Sequence, residues 1–310
     1  MPVMRTALLA AAQNAWLRDH AMRWRFVRRA TRRFMPGETL DEALVASREL
    51  EATGIPTILT RLGENLESAA EAEAVTAHYL EAHERVRSSG VRSEMSIKLT
   101  QLGLDLDPEL AYANLERIAA RAASVSRRLW IDMEGSAYTQ RTLALFRRAK
   151  AARLDVGLAI QAYLRTTAAD IESLVPLGAP IRLVKGAYDE PEAIALRSRA
   201  EIDESFFRLG KRLLASDARA AGGFVAFGTH DDRLIERLLV VAREAGAPPS
   251  SYEIEMLYGI RRELQSKLVR EGHAVRVLIS YGEAWFPWYM RRLAEKPSNV
   301  GFVLRGMLGG

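Results

Sequence analysis

The chain has no cysteine among its 310 residues. That excludes disulfides, thiolate nucleophiles, cysteine-ligated zinc and iron–sulfur clusters. Histidine is scarce, with residues 20, 78, 83, 230 and 273 the whole set. His78 and His83 stand five apart, off a single helical face, and His230 is followed only by Asp231 and Asp232. A metal centre needs three or four converging donors, so no metal is expected. No apolar run approaches the roughly 18 residues of a membrane-spanning helix. The short apolar stretch from Ala7 to Ala12 lacks the flanks of a signal peptide. A P-loop and a Gly-x-Gly-x-x-Gly fingerprint are both missing, so neither mononucleotide nor Rossmann binding has its main support. There is no linker rich in Gly or Ser, no low-complexity segment and no short repeat. The expected location is the cytoplasm.

What is present is a large apolar fraction, 48%, sufficient for one sizeable core. The net charge of +5 is unevenly spread. Residues 1–40 hold eight Arg against Asp19 and Glu38, a net of +6, while the other 270 residues carry 36 bases and 37 acids, a net of −1. The body is near neutral, so nucleic-acid binding is not expected. The run Arg23-Trp-Arg-Phe-Val-Arg-Arg fits a helix that lays Trp24 and Phe26 on the body; it also fits peripheral contact with anionic lipid.

Short β-branched runs alternate with longer helical patterns. Strands are expected at Pro56–Leu62, Glu94–Leu99, Leu129–Glu134, Val156–Gln161, Ile181–Lys185, Phe224–Gly228, Tyr252–Met256 and Val275–Ile279. Helices are expected at Glu67–Ser88, Pro108–Ala123, Thr139–Ala152, Glu192–Ala221, Arg233–Ala245 and Ile260–Glu271. Asn65 is the expected N-cap of the first of these, Gly90 follows its end, and Asp107-Pro108 opens the second. Eight such units imply a parallel sheet closed as an α/β, TIM-type (β/α)8 barrel over residues 51–310, preceded by an N-terminal helical extension over 1–50. A doubly wound sheet has the same alternation.

Barrel chemistry collects where strands end. Lys98, Asp132, Arg182 and Lys185 are charges in strand text that should be buried. Unpaired, each would cost several kcal/mol, roughly, so together they indicate a charged pocket in the barrel mouth. Gly186 allows close backbone approach beside Lys185, as a cofactor phosphate or ring edge needs. Near the C-terminus, Arg291-Arg292 follows the aromatic run Trp285-Phe-Pro-Trp-Tyr289. Two adjacent guanidiniums beside an aromatic wall suit a small carboxylate ligand. Five other Arg-Arg pairs lack that setting.

Read in order, the strand-end motifs resemble the proline dehydrogenases. They are Leu62-Gly-Glu, Ser96-Ile-Lys-Leu, Ile131-Asp-Met-Glu, Gln161-Ala-Tyr, Arg182-Leu-Val-Lys-Gly-Ala-Tyr, Gly228-Thr-His, Glu255-Met-Leu-Tyr-Gly, and Arg291-Arg292 with Glu295. The resemblance implies an FAD enzyme on a (β/α)8 barrel that oxidises L-proline to 1-pyrroline-5-carboxylate and passes the electrons to a quinone or another acceptor. It implies that Arg291, Arg292 and Lys98 hold the substrate carboxylate, with Glu295 orienting the arginines. Tyr188 and Leu257 would touch the substrate. Asp132 and Arg182 would be active-site residues. Met133, Gln161, Arg182, Lys185, Gly186, Ala187, Thr229 and His230 would contact FAD. Two positions that line the substrate ring depart from the family's tyrosines and read Trp288 and Leu278 here. They leave open a related substrate: another secondary amino acid, or a hydrazino acid of specialised metabolism.

Two other classes fit parts of the sequence. One is a barrel lyase or aldolase using Lys98 or Lys185 as a Schiff-base amine. The other is a binding protein that docks through its basic N-terminal segment. The clamp assignment has a direct check. Arg291→Ala and Arg292→Ala are expected to raise the substrate concentration needed for half-saturation tenfold or more, roughly one lost charge-assisted contact each, while flavin stays bound. Loss of flavin as the main effect would reassign both arginines.

Overall fold

The structure, a computed structural model, describes residues 31–63, 66–286 and 289–290. Asn65, Trp288, Arg291, Arg292 and Glu295, with most of the basic N-terminal segment, lie outside the described residues. Eight parallel strands close into one barrel in chain order. They are β1 (Thr57–Arg61), β2 (Glu94–Ile97), β3 (Leu129–Ile131), β4 (Val156–Gln161), β5 (Pro180–Val184), β6 (Phe224–Gly228), β7 (Tyr252–Leu257) and β8 (Val275–Tyr281). The doubly wound alternative is thereby removed, because β1 pairs with both β2 and β8.

The helices are α1 (Leu40–Glu51), α2 (Ala69–Ser89), α3 (Pro108–Ser124), α4 (Thr139–Ala151), α5 (Thr167–Leu174), α6 (Arg199–Leu213), α7 (Ser216–Ala220), α8 (Asp232–Glu244) and α9 (Arg262–Arg270). Helix α1 packs against β8 and β1, at the seam where the barrel closes. Thr57 Oγ1 fixes it there, bonding Ser47 Oγ at 3.0 Å and Ser93 Oγ at 2.6 Å. Capping explains most helix starts. Asp107 accepts from the Glu109 N–H at 2.9 Å with Pro108 at the first helical position. Helix α2 ends on Gly90 at φ 74, the left-handed cap that glycine adopts without strain.

Three helix expectations are corrected. The N-cap of α2 is Ser68, whose hydroxyl accepts from Glu71 N–H, rather than Asn65. The helix expected over Glu192–Ala221 begins only at Arg199 and breaks into α6 and α7. Residues 194–196 are committed elsewhere: Ile194 O accepts from Arg165 N–H, and Leu196 N–H donates to Tyr163 O. Helix α5 was not expected from its eight residues, and Thr166 before it makes no side-chain cap bond.

Strand alternation sorts the side chains into two environments. Residues such as Leu59, Ile97, Ile131, Leu158, Leu183, Phe227, Met256 and Val277 point outward and build the main core against the helices. Inside the barrel the apolar cluster is small: Ile58, Trp130 and Ala226, with Phe224 and Leu278 beside them. Trp130 fills the interior, and Gly157 opposite β3 makes room for it. A methyl there would lie 2.5 Å from the indole ring. Most of the remaining inward positions are charged, hydroxyl-bearing or small, such as Arg182, Glu253, Glu255, Arg276, Ser280 and Ala159.

Helix α2 buries His83 fully and His78 in part. His83 is fully buried with neither ring nitrogen bonded among the described residues, and His78 Nε2 lies 2.8 Å from Tyr281 Oη. Burial, aided by nearby arginines, pushes both imidazoles down from an ordinary 6.5 to about 4. The unfolded chain takes up these protons first. This contribution to stability is therefore intact above 6.5, falls as the pH drops, and levels off near 4. His83→Leu is expected to shrink the acid loss, read as urea midpoints across that range. An unchanged acid limb would remove His83 from the account.

Candidate active site

The mouth of the barrel is built around Arg182 on β5. Its Nε donates to Glu255 Oε2 on β7 at 2.5 Å, and its Nη1 donates to Asp132 Oδ1 at 2.9 Å and Ser96 Oγ at 3.0 Å. Ser96 Oγ in turn donates to Asp132 Oδ1 at 2.6 Å. The guanidinium lies over the Trp130 ring, 4.5 Å from its centroid. Arg182 and Glu255 are each only 3% exposed. This is a charge held from two sides by carboxylates and from below by a π face. Its Nη2 has no partner among the described residues.

A second charged layer lies one register step deeper. Arg276 Nε donates to Glu253 Oε1 at 2.8 Å, and its Nη2 stands 3.8 Å from Glu94 Oε1. Trp130 Nε1 donates to Glu94 Oε2 at 2.6 Å, linking the two layers. Glu94, Glu253 and Arg276 were not singled out from sequence, and Glu255 stood only within a motif, with no role assigned. The signal was available: Glu253 and Glu255 stand two apart on one strand, hence on one face, and Arg276 pairs with Glu255 in register.

The loops at the strand ends are tied to one another. Gln161 Nε2 donates to Met133 O and Glu134 O at 3.0 and 2.9 Å. Glu134 accepts from Thr100 Oγ1 at 2.6 Å and Thr100 N–H at 3.2 Å, which holds the turn after Lys98. Glu190 accepts from Ser136 N–H and Oγ at 2.6 and 2.5 Å, joining the loop after β5 to the one after β3. His230 Nε2 accepts from Leu257 N–H at 2.9 Å, so Nδ1 carries the ring proton.

Of the four charges read as lying inside strands, only Arg182 does. Lys98, Asp132 and Lys185 each sit one residue past a strand end. Arg182 and Asp132 come together. Lys98 is buried at the mouth and forms no ion pair among the described residues. Lys185 turns the other way: its ammonium is held by Asp203 of α6 and by Asp231 at 3.1 Å. Alternation explains the difference, since Arg182 points inward and a residue three further on points outward. The Asp231 carboxyl stays below its ordinary range: burial pushes it up, but Lys185, the Leu234 N–H and Arg199 together outweigh that push. Leu278 sits with the inner apolar cluster and pairs in register with Leu257. Thr229 N–H donates to Phe227 O and Glu255 O, and Ala187 and Tyr188 follow Gly186 in the same loop. A Cβ on Gly186 would meet the Tyr163 ring at 2.3 Å, and its φ of +117 favours glycine.

A family model described as proline dehydrogenase matches residues 43–305. The chain belongs to the proline dehydrogenase family. It is 37% identical to proline dehydrogenase 1 of Bacillus subtilis strain 168 over 306 residues, covering 99% of each chain. It is 35% identical to the proline dehydrogenase of Deinococcus radiodurans over 283 residues, covering 90% of each. The bifunctional protein PutA of Escherichia coli K12 matches at 28% identity over 88% of this chain, which spans 24% of that protein. Among solved structures, proline utilization A from Bdellovibrio bacteriovorus shares the fold at a TM-score of 0.81 and 21% identity, over 94% of this chain and 36% of that one. Family membership makes the protein an oxidoreductase acting on the CH–NH group of its donor and implies a flavin, and it displaces both the Schiff-base lyase and the scaffold reading.

The residues present fit a flavin. Among the described residues, Arg182 Nη2 is a buried donor without a partner, Gln161 Oε1 a buried acceptor without one, and Ser280 adds an unpartnered hydroxyl. Such orphans in a native interior call for a polar ligand.

Arg182→Met is expected to cost about 3–5 kcal/mol, because it strands buried carboxylates. Adding Glu255→Gln should return part of that loss. Urea unfolding of the two variants decides it, and a single substitution within about 0.5 kcal/mol of the parent protein would mean that the cluster does not support the barrel.

Proposed function

We propose that this protein oxidises L-proline to 1-pyrroline-5-carboxylate with FAD, and that a quinone or another acceptor reoxidises it. The observation that carries this reading is the match to monofunctional proline dehydrogenases along nearly the whole chain. The Arg182 Nη2 and Glu255 Oε1 atoms, neither with a partner among the described residues, support it.

The bound flavin supplies the hydride acceptor for the carbon next to the ring nitrogen, and the nitrogen releases its proton as the C=N bond forms. The protein's part is binding and charge. Lys98, Arg291 and Arg292 hold the carboxylate, and Glu295 orients the arginines. Lys98 suits this role because it is a mostly buried lysine whose ammonium has no ion-pair partner among the described residues. Tyr188, Leu257, Leu278 and Trp288 line the substrate ring. Leu278 presents an apolar surface continuous with Trp130 and Ile58, which suits a ring carrying no polar substituent. Met133, Gln161, Gly186, Ala187, Thr229 and His230 hold FAD with Arg182. Lys185 belongs to that set by its place beside Gly186, since its ammonium is engaged elsewhere. Arg182, oriented by Asp132, stabilises negative charge gained at the flavin.

A quinone acceptor dissolves in the bilayer, so the reading includes peripheral contact of the Arg-rich segment with anionic lipid on the cytoplasmic face. No described helix is long and apolar enough to cross a membrane.

The purified protein is expected to be yellow, and proline is expected to bleach its flavin anaerobically. Bleaching by a different secondary amino or hydrazino acid, with none by proline, would change the substrate and keep the chemistry. Colourless protein that cannot be reconstituted with FAD would sink the reading.

A further inference from the structure

The barrel interior holds more acid than base. Asp132 and Glu255 face the single guanidinium of Arg182, and Glu94 and Glu253 face that of Arg276. Fully ionised, these six groups carry two surplus negative charges, of which Lys98 at the mouth offsets one. Further negative charge entering this low-dielectric interior is relieved when one carboxyl takes up a proton.

The geometry singles out which one. Both oxygens of Glu94 are engaged, one by Trp130 Nε1 and the other near Arg276. Asp132 is 22% exposed and reaches solvent. Glu255 is 3% exposed; its Oε2 takes the Arg182 Nε–H, and its Oε1 has no partner among the described residues. It can carry a proton on Oε1 without breaking its bond to Arg182. Burial pushes this carboxyl up, Arg182 pulls against it, and Glu253 adds to the rise.

We propose that Glu255 is a positioning residue that takes up one solvent proton when negative charge enters the mouth beside Arg182, freeing the full charge of that guanidinium for the ligand. The inference rests on the flavin reading above. In this step one proton leaves bulk water and adds to Glu255 Oε1; no electron moves. The substrate's hydride and its electron pair travel separately, to the flavin. The charged or titratable groups that bear on Glu255 are Arg182 on β5, Asp132 after β3, Glu94 on β2 with Lys98 after it, Glu253 on its own strand, Arg276 on β8, and His230 after β6. Arg182 and Arg276 keep their charge at any working pH. Glu94, Glu253 and His230 have their bonded atoms committed.

The test uses Glu255→Gln, whose amide oxygen still accepts from Arg182 but which stays neutral at every pH. The flavin potential of the parent protein is expected to vary more steeply with pH than that of the variant. The difference is a tenfold change in the reduction equilibrium per pH unit, about 30 mV for a two-electron couple. Infrared difference spectra between oxidised and reduced protein should show a protonated carboxyl band appearing in the parent and in Glu253→Gln, but missing in Glu255→Gln. Equal slopes for parent and variant, or a band that survives in Glu255→Gln, would overturn the proposal. Should Glu255→Gln fail to fold, the parent and Glu253→Gln spectra decide it: no carboxyl band on reduction refutes the proton uptake. A parent protein that binds no flavin defeats the functional reading instead. A pH titration of the carboxyl band in the ligand-free protein then still tests whether Glu255 takes up a proton as the pH falls, and no band that is missing in Glu255→Gln overturns the proposal.

Discussion

The ion pairs of Arg182 with Glu255 and Asp132, inside a closed barrel and against Trp130, are the constraint on which the site depends. An arginine at that depth is tolerable only if its charge and donors are met. The partners that meet them come from β2, the residue just after β3, and β7. Closing the barrel and satisfying Arg182 are therefore one event. Replacing the cluster with apolar side chains could stabilise the barrel, as is often true of buried ion pairs. Its persistence in this geometry fits a role in chemistry better than a role in stability.

The division between outer and inner faces follows from that constraint. Nearly all apolar burial lies between the strands and the helices, where large aliphatic side chains interlock. The interior has given its volume to charges, one tryptophan and a few small residues. A barrel held from outside can present unfilled polar valence at its mouth, which is what ligand binding requires. The loops supply the remaining order. Gln161, Glu134 and Glu190 each bridge separate strand ends, so the rim of the site is a connected set of hydrogen bonds rather than independent loops.

Much of the fold was legible in the chain. Each of the eight strands lies within a few residues of its expected place, because β-branched runs bounded by turn residues are a local signal. The helix from 192 misled because its composition is helical while its backbone is engaged by residues 163–165, a contact that no local window contains. At the site, Arg182 and Asp132 were legible as charges that must find partners. Their partners were less so: Asp132 lies 50 residues away, Glu255 73, and Ser96 86. Lys185 was read into the same pocket and faces away from it, since strand parity and Asp203 on a helix decide its direction.

Alternating pattern, composition and the order of the strand-end motifs determined eight alternating strand and helix units and the family resemblance, because both are written in short windows of sequence, while closure into a barrel had to be seen in the structure. Only the tertiary structure decided which charges share a cavity. Barrel closure sets the register between strands distant in the chain, and register, not sequence spacing, brings one guanidinium within hydrogen-bonding reach of two carboxylates.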